Sequence, residues 1–290
     1  ITSKIEHHAV GQTASSLFEK AGIELVHLNV DKQGQIDLEQ LKSLLVSSDI
    51  KTLISLMHAN NEIGTLLPIK RVSEICREHN AYFHSDTVQT IGHYSFNLEE
   101  LDIDFLTCAA HKLHGPKGTG FLYVNKKTKA GSFIHGGAQE RGLRGGTENV
   151  HGIVGLAKAM DLAYEDVQGH QHHVQGLKSY MIEQLTSMFD DVNFHGDITP
   201  EGSLYTVLNV CFPKTDKSSM LLFTLDLKGI AASGGSACSS GATKGSHVLE
   251  GIGADMSRPN TRFSFSRYTT RKDIDYALEQ IKVVFEQTLA

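Results

Sequence analysis

The sequence predicts an α/β protein: a mostly parallel sheet flanked by helices, followed by a smaller α+β C-terminal domain. Two patterns carry this expectation. Through the first half, short apolar runs alternate with segments of helical periodicity, the order that builds a parallel sheet. From about residue 149 that order breaks, and two long helical stretches give way to short strands and a last helix. The implied boundaries are 1–166 for a large domain and 167–290 for a small one, with the helix around 152–168 bridging them.

Residues 11–21 (GQTASSLFEKA) look helical, and IELVHLNV from 23 reads as a strand. IDLEQLKSLL places its apolar residues at helical spacing, and TLISLM from 52 is a buried strand. IKRVSEICREH is a helix and AYFHSD from 81 a strand; DFLTCAA from 104 and GTGFLYVN from 118 continue the series. Such a series implies a sheet covered on both faces. In the second half GIVGLAKAMDLAYEDVQ and HHVQGLKSYMIEQLTSMF are helices, and VNFHG, YTVLNVCF and TRFSFS are strands. Further helices fall near 217–227 and from about 271. The chain shows no internal repeat and no low-complexity tract.

Of its 290 residues, 40% are hydrophobic and 21% charged, an ordinary globular balance with material for a large core and two domains. A net charge of −6 with no basic block disfavours nucleic acid as a primary ligand. No stretch approaches the apolar length of a membrane span, and the opening residues ITSKIE show no signal peptide. Cys76, Cys108, Cys211 and Cys238 lie far apart, which excludes a zinc knuckle and a CxxC redox pair. Four unpaired thiols suit a reducing, cytoplasmic location. His170, His172 and His173 fall in a polar segment, where a metal site is not expected.

Four places carry chemistry. Lys112, in Ala110-His111-Lys112-Leu113-His114-Gly115-Pro116, follows the apolar strand DFLTCAA. Most lysines are solvated surface groups. One just past a buried strand stands where α/β sheets bind ligands, and burial there would make its amine nucleophilic. Asp86, in His84-Ser85-Asp86-Thr87-Val88-Gln89, ends the strand before, so neighbouring strands could present Asp86 and Lys112 together. Its carboxylate either pairs with a cationic ring nitrogen or caps the following helix. Cys238 sits in Ser233-Gly234-Gly235-Ser236-Ala237-Cys238-Ser239-Ser240-Gly241. Glycine and serine density marks a mobile loop, and a thiol there suits a nucleophile that swings outward. Cys76, in a helix, and Cys108 and Cys211, in apolar strands, read as small core residues. Arg262, within a strand, asks for an anion: a ligand carboxylate gripped by two N–H donors, or a structural salt bridge.

The strings IEHHAV, HANNEIG, HSDTVQ, AAHKLHGPKG, ERGLRGGTENV, GGSACSSG and TRFSFSRYTT occur in this order along essentially the whole chain. Together they resemble a NifS/IscS-type cysteine desulfurase of the pyridoxal-phosphate (PLP) fold-type I, class V aminotransferase-like superfamily. The cysteine loop is similar to that of the group with a long loop. The resemblance implies PLP as cofactor, L-cysteine as substrate, a homodimer, and an iron–sulfur scaffold or other protein as sulfur acceptor. It implies Lys112 as the Schiff-base lysine, Asp86 on the pyridinium nitrogen, and Gln89 and Asn61 on the ring oxygen. It also implies His7 stacked on the ring as an acid/base, His111 on the phosphate and Thr147 on the phosphate of the neighbouring subunit. Arg262 would hold the substrate carboxylate and Cys238 would accept the sulfur.

Three departures qualify the resemblance. Members of the family carry, ahead of the matching stretch, an Asn-Ala-Ala-Thr stretch and a Gly-Gly-Thr-Glu-Ala-Asn loop that grips the phosphate at a helix N-terminus. This sequence begins past both, which implies weak or no PLP binding by a chain of this extent. Ala109 stands where a hydroxyl residue commonly binds the phosphate, a loss of roughly 1.5–3 kcal/mol. Ala138 replaces a usual glycine, with no function attached. Two other readings stay open: a selenocysteine lyase or other enzyme of the same superfamily, and a catalytically silent scaffold that holds no PLP.

Overall fold

In the computed structural model, residues 1–47, 50–215, 220–235 and 245–286 are described. The chain forms two compact units. One comprises residues 1, 42–58 and 68–167; the other comprises 2–41, 59–67 and the chain from 168 onward. Each is a separate packing problem, and each holds part of the chemistry.

The chain opens with β1 (Thr2–Ser3), α1 (His8–Ala21) and β2 (His27–Leu28), the two strands pairing in parallel. β2 is much shorter than the strand expected from residue 23. Gly22 ends α1 in the left-handed region at φ 64°, and β1 offers only two residues to pair with. α2 (Leu38–Val46) follows and buries Leu41 and Leu45.

Four strands form the next sheet, in the order β3 (Leu53–Ser55), β4 (Tyr82–Asp86), β5 (Phe105–Ala109), β6 (Gly120–Val124). α3 (Ile69–Glu78) and α4 (Leu98–Leu101) occupy the first two connections. The first two pairings are parallel and the last antiparallel. The antiparallel edge has a simple cause. Residues 110–119 alone link β5 to β6, fewer than the dozen or so a parallel crossover needs.

The sheet is more deeply buried on one face than on the other. Ile54, Phe83, Ser85, Leu106 and Cys108 are buried on one side, while Leu53, Tyr82 and Leu122 on the other are 48%, 37% and 54% exposed. β3, β4 and β5 are laid down in one direction, so right-handed crossovers put α3 and α4 on the same side. α3 turns Val72, Ile75 and Cys76 inward.

α5 (Val150–Tyr164) and α6 (Val167–Met188) lead to the three-stranded antiparallel sheet β7 (Asn193–His195), β8 (Val207–Cys211) and β9 (Asn260–Ser264). α7 (Leu221–Leu227) and α8 (His247–Gly251) lie between β8 and β9 in the chain, and α9 (Arg271–Glu286) follows. β8 is buried along its length. The rings of Phe189 and Phe212 pack on Phe285 with centroids 4.9 and 5.6 Å away.

The histidine-rich segment is not a solvated stretch throughout. It belongs to α6, whose period puts His170 on the inward stripe with Val174, Leu177, Met181 and Leu185. His170 meets the Tyr205 ring edge-on at 5.5 Å, and His173 Nε2 bonds the Thr269 carbonyl at 2.9 Å. Lys178 shares that stripe and is fully buried. Its amine donates to Ser203 Oγ (2.6 Å) and the Leu204 carbonyl (3.1 Å), and burial pushes its pKa down to about 8 against the attraction of Asp197. Cys76, Cys108 and Cys211 are buried, as small core residues should be. Among the described residues, no helix is long and apolar enough to cross a membrane.

Candidate active site

In the first unit, β4 and β5 run parallel side by side with Asp86 opposite Thr107. Their carboxyl ends therefore carry the two groups that the sequence singled out. Alternation along β4 turns His84 and Asp86 to the less buried face and Phe83 and Ser85 into the core. Asp86 does not cap a helix, since α4 starts only at Leu98. Its Oδ1 accepts from the Val88 N–H at 3.0 Å. His84 Nδ1 lies 2.8 Å from Ser55 Oγ; burial lowers its pKa and the Asp86 charge partly offsets that.

The turn after Asp86 presents Gln89, half-buried. Thr87 Oγ1 donates to the Thr107 carbonyl at 2.7 Å, and the Thr90 and Ile91 N–H groups both reach the Thr87 carbonyl at 2.9 Å. Thr90 Oγ1 donates to that carbonyl at 3.2 Å, so it accepts from His58 Nδ1–H at 3.0 Å. Burial pushes the His58 pKa down to about 4, which keeps this ring neutral. Neither His58 nor Thr90 was singled out from sequence; a histidine just past the strand β3 is the signal that was there.

β5 runs into a single 3-10 turn, Ala110–Leu113. Its first and fourth positions, Ala110 and Leu113, are buried, and such positions eclipse in a 3-10 helix. His111 and Lys112 between them face outward and are exposed. Lys112 is thus not the buried lysine that its place in the sequence suggested. The turn is closed by the Gly115 N–H on the Ala110 carbonyl at 2.8 Å. His111 is held below its usual pKa by burial first, then by the positive charges of Lys112 and Lys117. Thr147 is exposed, just ahead of Asn149, whose side chain caps α5 through the Gly152 N–H at 3.2 Å.

The second unit holds His7, Asn61 and Arg262. His7 caps α1: its Nδ1 accepts from the Ala9 N–H at 3.2 Å, which leaves the proton of a neutral ring on Nε2. The next residue, His8, stacks on His247 with centroids 4.3 Å apart. Burial, then His247 and His7, lower its pKa, and Glu62 opposes them. His8 and His247 line a cavity of about 420 Å³ with Ser3, Glu6, Gln12 and His27.

Asn61 stands in a tight turn, closed by the Asn60 N–H on the Thr65 carbonyl and the Gly64 N–H on the Asn60 carbonyl, both at 3.0 Å. Gly64 is at φ 79°, and a Cβ there would sit 3.2 Å from Ser203 Oγ, so only glycine suits the turn. Asn61 Oδ1 is buried with no hydrogen-bond partner. Arg262 Nη1 donates to the Asn61 carbonyl at 2.9 Å. That arginine nitrogen thus holds the backbone of the Asn61 turn. Cys238 lies outside the described residues, but both ends of its loop, Gly235 and Gly245–Ser246, lie in this unit.

The residues of the first unit suit a PLP group: Asp86 offers a carboxylate, Lys112 a primary amine and His111 an imidazole. In the second unit, Asn61 holds a buried amide oxygen that can accept from a ligand. Ala109 adds no hydroxyl. Glu62 and Ser246, joined by a side-chain hydrogen bond, were not read from sequence. The signal for Glu62 was a lone acidic residue in the run HANNEIG.

The sequence profile of the Aminotransferase class-V family matches residues 1–277. The cysteine desulfurase IscS of Dictyoglomus turgidum is 43% identical over 99% of this chain, which spans 72% of that relative. The IscS of Methanosarcina thermophila is 42% identical over 99% of the chain and 70% of the relative. Among solved structures, a NifS-like protein superposes with a TM-score of 0.87 at 36% identity, covering 99% of this chain and 74% of that one. Another from Rickettsia africae gives 0.86 at 30% identity, covering 98% and 75%. The chain belongs to the class-V aminotransferase family, whose members depend on PLP, and within it is a homologue of the IscS and NifS cysteine desulfurases. Its architecture is the α/β fold type I of those proteins, with a small antiparallel sheet in the C-terminal part.

Proposed function

We propose that this protein is a cysteine desulfurase that moves sulfur from L-cysteine onto Cys238 and leaves L-alanine. The observation that carries this is the parallel pairing of β4 with β5, which sets Asp86 and Lys112 at neighbouring carboxyl ends, where α/β sheets bind ligands. Relatives at about 40% identity named as cysteine desulfurases supply the substrate class. PLP, when bound, supplies an electron sink for charge developing at the substrate Cα.

Each residue then has a task. Lys112 would hold the cofactor through its amine and would take the Cα proton of the substrate. Asp86 would pair with the ring nitrogen, and Gln89 and Asn61 would bond the ring oxygen. His7 would contact the ring and serve as an acid/base. His111 would bind the phosphate, and Thr147 would reach the phosphate site of a second subunit. Arg262 clamps the substrate carboxylate. The Cys238 thiolate attacks the substrate sulfur: an S–S bond forms as the Cβ–S bond breaks, and the freed carbon takes up a proton to become alanine. The persulfide then passes to an iron–sulfur scaffold or another acceptor protein.

Joined to the family's phosphate-gripping segment and supplied with PLP and L-cysteine, the protein is expected to form alanine and persulfide sulfur in equal amounts. A keto acid without sulfur would point to an aminotransferase, turnover of selenocysteine alone to a lyase, and no uptake of PLP to a silent scaffold. The proposal includes a homodimer. Residues 131–149 are largely exposed, hold Glu140 and Arg141 at φ 49° and 57°, and lead into exposed Val150, Ile153 and Val154. Strained backbone needs a surrounding that holds it, and a run of exposed apolar groups suits a second copy. Sedimentation is expected to give a dimer that Ile153→Glu dissociates; a wild-type monomer at micromolar concentration would reject it.

A further inference from the structure

We infer that Glu62 is a positioning residue: its carboxylate ties one end of the Cys238 loop, at Ser246, to the turn that presents Asn61, and packs against the other end at Gly235. The functional meaning rests on the proposed roles of Cys238 and Asn61, while the tie itself can be read without turnover.

Glu62 is 1% exposed, and its backbone is fixed from several sides. Its N–H donates to Asn60 Oδ1 at 2.9 Å, and its carbonyl accepts from Asn209 Nδ2 at 3.1 Å. The carbonyl before it, that of Asn61, accepts from Arg262 Nη1 at 2.9 Å. The carboxylate is therefore set on a rigid mount, and its Oε2 accepts from Ser246 Oγ.

Ser246 lies where the chain leaves the loop. Its Oγ also accepts from the Leu249 N–H at 3.1 Å and so caps α8. Val248, Leu249 and Ile252 of that helix pack in one cluster with Ile5 and Ile63, the latter adjoining Glu62 in sequence.

Gly235 lies where the chain enters the loop. A Cβ built there would stand 3.2 Å from Glu62 Oε2 and 3.2 Å from Ser246 Cβ, so the entering backbone abuts the same carboxylate. That end is held in turn by Arg262: Ser233 exchanges backbone hydrogen bonds with it at 3.2 and 2.6 Å, and Ser233 Oγ donates to the Gly235 carbonyl at 2.8 Å. Glu62 Oε1 is buried with no hydrogen-bond partner. A half-paired buried carboxylate is costly. Its presence under the two loop ends marks a place built for anchoring rather than for core stability.

The test is the rate at which iodoacetamide alkylates Cys238, read by mass spectrometry of its peptide, with buried Cys76, Cys108 and Cys211 as internal controls. Glu62→Ala and Ser246→Ala should each raise the Cys238 rate about tenfold while the three buried thiols stay protected. Glu62→Gln keeps an acceptor for Ser246 and should stay within about twofold of wild type. Gly235→Ala drives a Cβ against an intact carboxylate and should also speed Cys238, which reads the anchor in a second way if Glu62→Ala fails to fold. A wild-type rate in Glu62→Ala, or in Gly235→Ala should Glu62→Ala not fold, would overturn the inference. So would a Glu62→Gln rate as fast as that of Glu62→Ala, or a rise shared by the buried thiols. Loss of alanine formation moves none of these readouts, so failure of the desulfurase proposal is seen separately.

Discussion

Lys112→Ala, in the protein joined to the family's phosphate-gripping segment, is expected to abolish covalent attachment of PLP. Borohydride treatment of the loaded wild-type protein should fix the cofactor on the peptide holding Lys112, and the variant should carry none. Formation of alanine should fall by about a thousandfold or more, because the same amine both holds the cofactor and moves the Cα proton. The effect should be chemical and not structural. The turn around Lys112 is pinned by buried Ala110 and Leu113 and by the Gly115 N–H, none of which the substitution touches. An exposed side chain of this kind contributes within about 0.5 kcal/mol to stability, so the melting temperature should hardly move. An adduct found on Lys117, the other cation whose charge reaches His111, would transfer the role to that residue.

Cys238→Ala is expected to give the opposite division of effects. PLP uptake and the Lys112 adduct should persist, while alanine formation from L-cysteine falls by about a thousandfold. No other thiol is placed to substitute. Burial pushes Cys76 up to about 12, burial and then Asp86 push Cys108 up to about 11, and burial raises Cys211. All three are sequestered and protonated near neutral pH, and the thiolate is the form that attacks. Normal turnover by Cys238→Ala would therefore remove the persulfide step from the mechanism rather than reassign it.

Much of this was legible in the sequence because it is local. The alternation of apolar runs with helical periods gave β3, α3, β4 and β5, though not the short helix α4, and with them the neighbouring ends that hold Asp86 and Lys112. The segments that failed did so for nonlocal reasons. The strand from residue 23 shrank to His27–Leu28 because its partner is two residues long. β6 turned antiparallel because its connection is short, and one face of the sheet stayed more exposed because both crossovers share a hand. His170 and Lys178 looked like surface residues by type, and only the stripe they share on α6 buries them. The hydrogen bond between Glu62 and Ser246 spans 184 positions, a distance over which no periodicity speaks. At Asp86, the choice between helix cap and ring partner depended on where the next helix begins, which composition does not fix.

The uneven burial of the sheet has a consequence for how β4 tolerates error. Its side chains alternate, with Phe83 and Ser85 fully inward and His84 and Asp86 half-buried on the opposite face. Slippage by one position would drive an imidazole and a carboxylate into the interior and strand a phenyl ring in water. The same packing that forbids that slip also aims the acid at the end of the strand, so hydrophobic misfit and chemical misalignment are one and the same mistake in this protein.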